Sequence, residues 1–99
     1  MPLVLIADAN PVSRMRRSRQ LETRGFRVAV ARTSFEAIVK ASCHLPSFIL
    51  MDESLGDEDV TDTTTLLATC PATSHIPIVR LGPGRRLPVR MLSSVVRHR

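Results

Sequence analysis

Ser47-Phe48-Ile49-Leu50-Met51-Asp52-Glu53 is a short apolar run that ends abruptly in a carboxylate. Four apolar residues between turn-forming neighbours read as a strand buried on both faces, the kind that parallel sheets use. Asp52 then stands at the carboxyl end of that strand. Ligands of open α/β sheets bind outside that end, so an acid there reads as a working group. One step outward, Leu3-Val4-Leu5-Ile6-Ala7 is a second continuously apolar run, and it too ends in an acid, Asp8, before Ala9-Asn10-Pro11. Parallel, neighbouring strands would bring Asp8 and Asp52 into one acidic pocket.

The segments between and beyond these strands alternate in type. Asn10 is placed to cap a helix whose first position takes Pro11, where a missing N–H costs nothing. That helix is expected over residues 11–24, stopping at Gly25, with a thin apolar face of Val12, Met15 and Leu21 and with Ser18 where a larger residue would pack better. It reads as marginal, held by the sheet rather than by its own propensity. Residues 26–31 form the next strand. Thr33-Ser34-Phe35-Glu36 is a capping box, and the helix it opens, residues 34–43, is expected to bury Phe35, Ile38, Val39 and Ser42. His44 at its end reads as a solvated ring or a cation favoured by the helix dipole, and Pro46 returns the chain to the strand ending at Asp52. A loop over 53–59 leads to a helix over 60–69 that carries five threonines and only Leu66 and Leu67 as anchors, so it should be short or frayed. After a turn at 71–75, residues 76–81 form the fourth strand, with Pro77 near its start. Strand and helix in alternation predict an α/β fold with a parallel sheet and right-handed crossovers.

Composition bounds the rest. A chain of 99 residues, 43% hydrophobic and 23% charged, is one domain able to bury roughly 60 to 70% of its unfolded surface. No apolar run reaches the length of a membrane span and Met1-Pro2-Leu3 lacks a basic leader region, so a cytoplasmic protein is expected. Cys43 and Cys70 form neither a CxxC pair nor a zinc-spaced cluster and read as reduced, partly buried thiols. The net charge of +5 is uneven: residues 1–79 hold eight Lys/Arg against nine Asp/Glu, while residues 80–99 hold six arginines and no acid. A second basic concentration, Arg14, Arg16, Arg17 and Arg19, lies on the first helix. Tyr and Trp are absent, so no stacking platform for bases is visible.

Val4-Leu5-Ile6-Ala7-Asp8-Ala9-Asn10-Pro11, Gly25-Phe26-Arg27-Val28, Glu36-Ala37, Phe48-Ile49-Leu50-Met51-Asp52 and Pro71-Ala72-Thr73-Ser74-His75-Ile76-Pro77-Ile78 resemble, in order and spacing, the receiver domain of response regulators in two-component signalling. The resemblance runs from Leu3 to Leu81. It implies a flavodoxin-like (CheY-like) three-layer α/β/α fold with a parallel sheet in the order 2-1-3-4-5, here 2-1-3-4 with the fifth strand missing. It also implies that Asp52 is the phosphoacceptor and that magnesium is held beside it by Asp8, Asp52 and the backbone carbonyl of Ser54. Several positions depart from the family. Ala9 stands where a second acid is usual, which weakens the expected magnesium site. Gly82 stands where the switch hydroxyl is expected, and the family's lysine has no counterpart, since Lys40 is the only lysine. After residues 1–81, residues 82–99 form a basic C-terminal segment, expected to complete the domain with a short helix over 88–97 carrying Val89, Leu92 and Val96. It reads either as the family's last helix brought forward by an internal deletion or as an unrelated tail.

Three functional readings follow. The first is a receiver-like module of phosphorelay signal transduction, with a degraded acidic pocket and a histidine kinase or phosphotransfer protein as partner. The second is a phosphorylation-independent interaction module that keeps the fold for docking, with the arginines of the first helix facing an acidic partner. The third is a nucleic-acid binder that works through the basic tail. A metabolic enzyme is not expected, because no nucleophile and base pair, glycine-rich phosphate loop or metal-ligand triad stands out. The exposed edge of the fourth strand predicts a homodimer through the residues after Ile76.

Overall fold

The computed structural model describes residues 1–87. The chain runs β1 (Leu3–Ala7), α1 (Pro11–Glu22), β2 (Arg27–Ala31), α2 (Ser34–His44), β3 (Phe48–Asp52), a 3-10 turn (Glu53–Leu55), α3 (Asp57–Thr69) and β4 (Ile78–Leu81). All strand pairs are parallel and the sheet order is β2-β1-β3-β4, as the sequence predicts. No fifth strand occurs among the described residues, and the helix expected over 88–97 lies outside them.

Strand alternation divides the core into two layers. Leu5, Ala7, Ile49 and Met51 face Ala37 and Ala41 of α2 and Val60 and Leu67 of α3. Val4, Ile6, Phe48 and Leu50 point to the other side, where Leu21 of α1, Phe26, Leu81 and Leu87 cover them. Phe26 and Phe48 meet edge to face, with centroids 6.1 Å apart. Residues 82–87 therefore turn back along the α1 side of the sheet, with Leu87 buried. In register, Ala7 pairs with Met51 across β1 and β3, which sets the acids that follow each strand side by side.

The expected starts and stops hold to within a few residues, but several helix faces are corrected. Asn10 caps α1 through the Val12 N–H (2.9 Å), and Pro11 takes the first position. The buried stripe of α1 is Ser13, Arg17 and Leu21, at spacings of four, whereas Val12 and Met15 are 72% and 56% exposed. The reason is that the first two turns of α1 face the polar strand ends, and only its last turn reaches the apolar sheet. On α2, Ala37 and Ala41 are the residues pressed to the sheet, Ile38 is half-buried, and Phe35, Val39 and Ser42 are exposed. Small residues sit there because they let the helix approach its neighbours closely. Thr33 accepts the Glu36 N–H (3.1 Å), while the Glu36 carboxylate turns to Lys40 (3.5 Å) rather than back to the cap. α2 ends at Leu45, a non-glycine residue at φ 46°.

α3 begins three residues earlier than expected and spans 13 residues despite its threonines. Packing overrides propensity here: Val60, Thr63 and Leu67 are buried on one face, and Thr69 returns its hydroxyl to the Thr65 carbonyl (2.9 Å). Leu66, expected as an anchor, is half exposed. Cys43 is exposed and Cys70 half-buried, and both are free thiols.

Candidate functional site

The carboxyl ends of β1 and β3 form a pocket whose charged groups are almost wholly out of solvent. Asp8 is 0% exposed, Asp52 1% and Arg17 1%. Buried charges persist only when paired and hydrogen-bonded, and each group here is both. Arg17 Nη1 lies 3.0 Å from Asp8 Oδ2 and 2.5 Å from Asp52 Oδ2, so one guanidinium nitrogen bridges the two carboxylates. The opposite side of the same fork donates to the backbone of residues 82–87. Nη2 reaches the Arg85 carbonyl at 2.6 Å and the Gly82 carbonyl at 3.5 Å, and Nε reaches the Arg85 carbonyl at 3.1 Å.

Neutral donors complete the pocket. Asp8 Oδ1 accepts the Asn10 N–H (2.9 Å) and the Ser54 hydroxyl (3.2 Å), and Asp8 Oδ2 accepts the buried Ser13 hydroxyl (2.5 Å). Asp52 Oδ1 accepts the Ser54 N–H (2.7 Å), and its Oδ2 accepts the Gly84 N–H (3.2 Å). Burial alone would raise the Asp52 pKa. Hydrogen bonds from Ser54, the Arg17 guanidinium and the Gly84 N–H outweigh it and hold the carboxyl below the ordinary aspartate value. Two further arginines of α1 secure the rim, Arg14 on the Asp8 carbonyl (2.9 Å) and Arg16 on the Gly84 carbonyl (2.6 Å).

The sequence-predicted residues Asp8, Asp52 and Ser54 are thus brought together, and Ala9 joins them by donating its N–H to the Ser54 hydroxyl (3.2 Å). Ser54 contributes its N–H to Asp52 and its hydroxyl to Asp8. Glu53 turns away to Arg80 (3.2 Å). Gly82 brings no hydroxyl, but its neighbour Gly84 supplies a donor to Asp52. Sequence reasoning missed Arg17, Ser13 and Gly84. A signal for Arg17 was present: two strand-end carboxylates require a counter-charge, and Ser13-Arg17-Leu21 is a continuous stripe on the helix that follows the first of them.

A magnesium ion takes near-octahedral oxygen coordination and needs carboxylate oxygens free to face it. All four carboxylate oxygens here already accept hydrogen bonds, the two that face each other hold a guanidinium, and no group of three or more metal-ligating side chains occurs among the described residues. The residues present do not fit the metal.

No family model matches the chain, and no curated protein sequence matches it. Solved structures do. The N-terminal domain of a response regulator receiver protein from Methanoculleus marisnigri JR1 superposes with a TM-score of 0.77 at 18% identity, covering 99% of this chain and 95% of that one. Chemotaxis response regulator CheY4 of Vibrio cholerae gives 0.77 at 22% identity over 96% and 80%. The signal receiver domain of a modulated diguanylate cyclase from Desulfovibrio desulfuricans G20 gives 0.71 at 27% identity over 98% and 75%. The class defined by sheet order, layers and these likenesses is the CheY-like flavodoxin fold. Within that class the chain resembles the receiver domains of response regulators, as the sequence motifs indicate.

Proposed function

We propose that this chain is a receiver-like module of phosphorelay signal transduction, with Asp52 in the phosphoacceptor position and a histidine kinase or phosphotransfer protein as donor. One observation carries this reading: Asp52 ends a central strand of a receiver-type fold with Asp8 directly beside it. Acceptance forms a bond from an Asp52 carboxylate oxygen to phosphorus and breaks the bond from phosphorus to the donor's nitrogen. Charge then spread over the phosphoryl oxygens needs a neutralising partner, and Arg17 is the cation within reach, with a planar fork suited to phosphoryl oxygens. Asp52 is closed off as it stands, so the Gly84 N–H and Arg17 must give way before a donor can reach it, and acceptance should be slow.

Incubation with a small-molecule phosphodonor followed by intact-mass measurement tests the proposal. The expected result is a gain of one phosphoryl group that is absent from Asp52→Asn. A folded chain that gains no phosphoryl group from several donors would overturn the phosphoacceptor assignment and leave the phosphorylation-independent interaction module in its place. No helix among the described residues is long and apolar enough to cross a membrane. As a second kind of partner we propose another copy of this chain, pairing along the outer edge of β4, which carries no strand partner among the described residues.

A further inference from the structure

We infer that Arg17 is the resident cation of the Asp8 and Asp52 pair, so that this chain keeps its carboxylate pocket intact without magnesium or any other divalent ion. The inference stands on the geometry of the pocket and is independent of whether Asp52 accepts a phosphoryl group. Three observations carry it. First, Nη1 alone contacts both facing oxygens, Asp8 Oδ2 at 3.0 Å and Asp52 Oδ2 at 2.5 Å, which is the position a shared cation must take. Second, the guanidinium has five N–H donors, and the described contacts use all of them: two on the carboxylates, two from Nη2 toward the Arg85 and Gly82 carbonyls, and one from Nε on the Arg85 carbonyl. A side chain this fully satisfied at 1% exposure belongs to the interior of the pocket. Third, the chain has Ala9 where a further anionic ligand could have stood, so the pocket offers two carboxylates and one permanent positive charge.

A hydrated divalent ion entering this pocket would have to expel the guanidinium, break its bonds to residues 82–87 and shed water, all for two carboxylates that already share one positive charge and whose oxygens already accept hydrogen bonds. Removing the guanidinium should reverse that balance. Two carboxylates freed of their counter-charge, lined by the Ser13 and Ser54 hydroxyls, present a cluster of oxygens suited to a hard cation.

The test uses the full 99-residue chain, labelled for amide NMR and titrated with Mg²⁺ and with paramagnetic Mn²⁺ to about 10 mM, above the roughly millimolar range of weak protein sites for hard cations. For the unmodified chain the amides of Asp8, Ala9, Asp52, Glu53 and Ser54 should neither shift with Mg²⁺ nor broaden selectively with Mn²⁺. In Arg17→Ala the same amides should do both, and the thermal midpoint should rise with Mg²⁺ in the variant alone. Selective broadening at these amides in the unmodified chain would overturn the inference. So would a folded Arg17→Ala variant that ignores both ions, because the carboxylates would then not be a cation site. If Arg17→Ala folds only when Mg²⁺ is present, the inference is supported directly. If it folds under neither condition, Arg17→Ala/Asp52→Asn decides: recovery of the fold when the second charge is removed supports a counter-charge role. Continued failure would show that Arg17 serves only to hold residues 82–87, and the inference falls.

Discussion

At the scale of single residues the molecule is governed by Asp52 and its five-donor partner. Its carboxyl titrates below the ordinary range because Ser54, Arg17 and Gly84 favour the ionised form more than burial disfavours it. A depressed folded pKa contributes stability that is complete above the unfolded value, about 3.9, and is lost as the pH falls through the lower folded value. Urea unfolding from pH 7 to pH 2 should therefore show a stability loss that begins near pH 4, and Asp52→Asn should remove part of that slope. An unchanged slope in the variant would mean that Asp52 is not held in its ionised form by the fold. Asp8 and Asp52 were legible in the sequence because each ends an apolar run, and strand geometry alone brings them together. Arg17 carried a weaker signal, its place in the Ser13-Arg17-Leu21 stripe, which is masked because an arginine on a helix with three arginine neighbours reads as solvated charge. Only the closure of residues 82–87 over α1 makes it interior.

Among the elements, strands were readable and helix faces were not, for a physical reason. A strand buried on both faces declares itself by continuous apolar residues, as β1 and β3 do. A helix face is inferred from apolar spacing, and α1 and α2 turn small or polar residues inward. Met15 and Val12 of α1, read as core, lie in a shallow groove on the outer face with Pro11, Arg16 and Arg19. Met15→Gln should accordingly change stability by no more than about 0.5 kcal/mol, the scale of ordinary surface substitutions; a loss of several times that in urea denaturation would return Met15 to the core. The end of α2 offers a gain. Leu45 sits at φ 46° and is half exposed, and a left-handed conformation costs a side chain roughly 1–2 kcal/mol. Glycine removes that cost but gives back roughly 0.5–1 kcal/mol in unfolded-chain entropy. Leu45→Gly should thus raise stability by about 0.5 kcal/mol, read as a higher thermal midpoint.

At the scale of the whole molecule, residues 82–87 return to the four strands and three helices of the described residues, burying Leu87 and lending carbonyls to Arg16 and Arg17. The outer edge of β4, like that of β2, has no strand partner among the described residues, and sedimentation at about 100 μM, well above micromolar association, should detect a dimer if the β4 edge pairs with a second copy. A strictly monomeric species would exclude it. The acid response of the pocket and its resistance to divalent ions both depend on Arg17 and Asp52 acting as one buried ion pair. A double-mutant cycle in urea with Arg17→Ala, Asp52→Asn and the double variant measures that dependence directly. The single Arg17→Ala change should cost about 3–5 kcal/mol by stranding two buried carboxylates. The coupling energy should then be at least about 1.5 kcal/mol, within the range for groups sharing one network. Additivity within about 0.5 kcal/mol, the behaviour of independent sites, would contradict it.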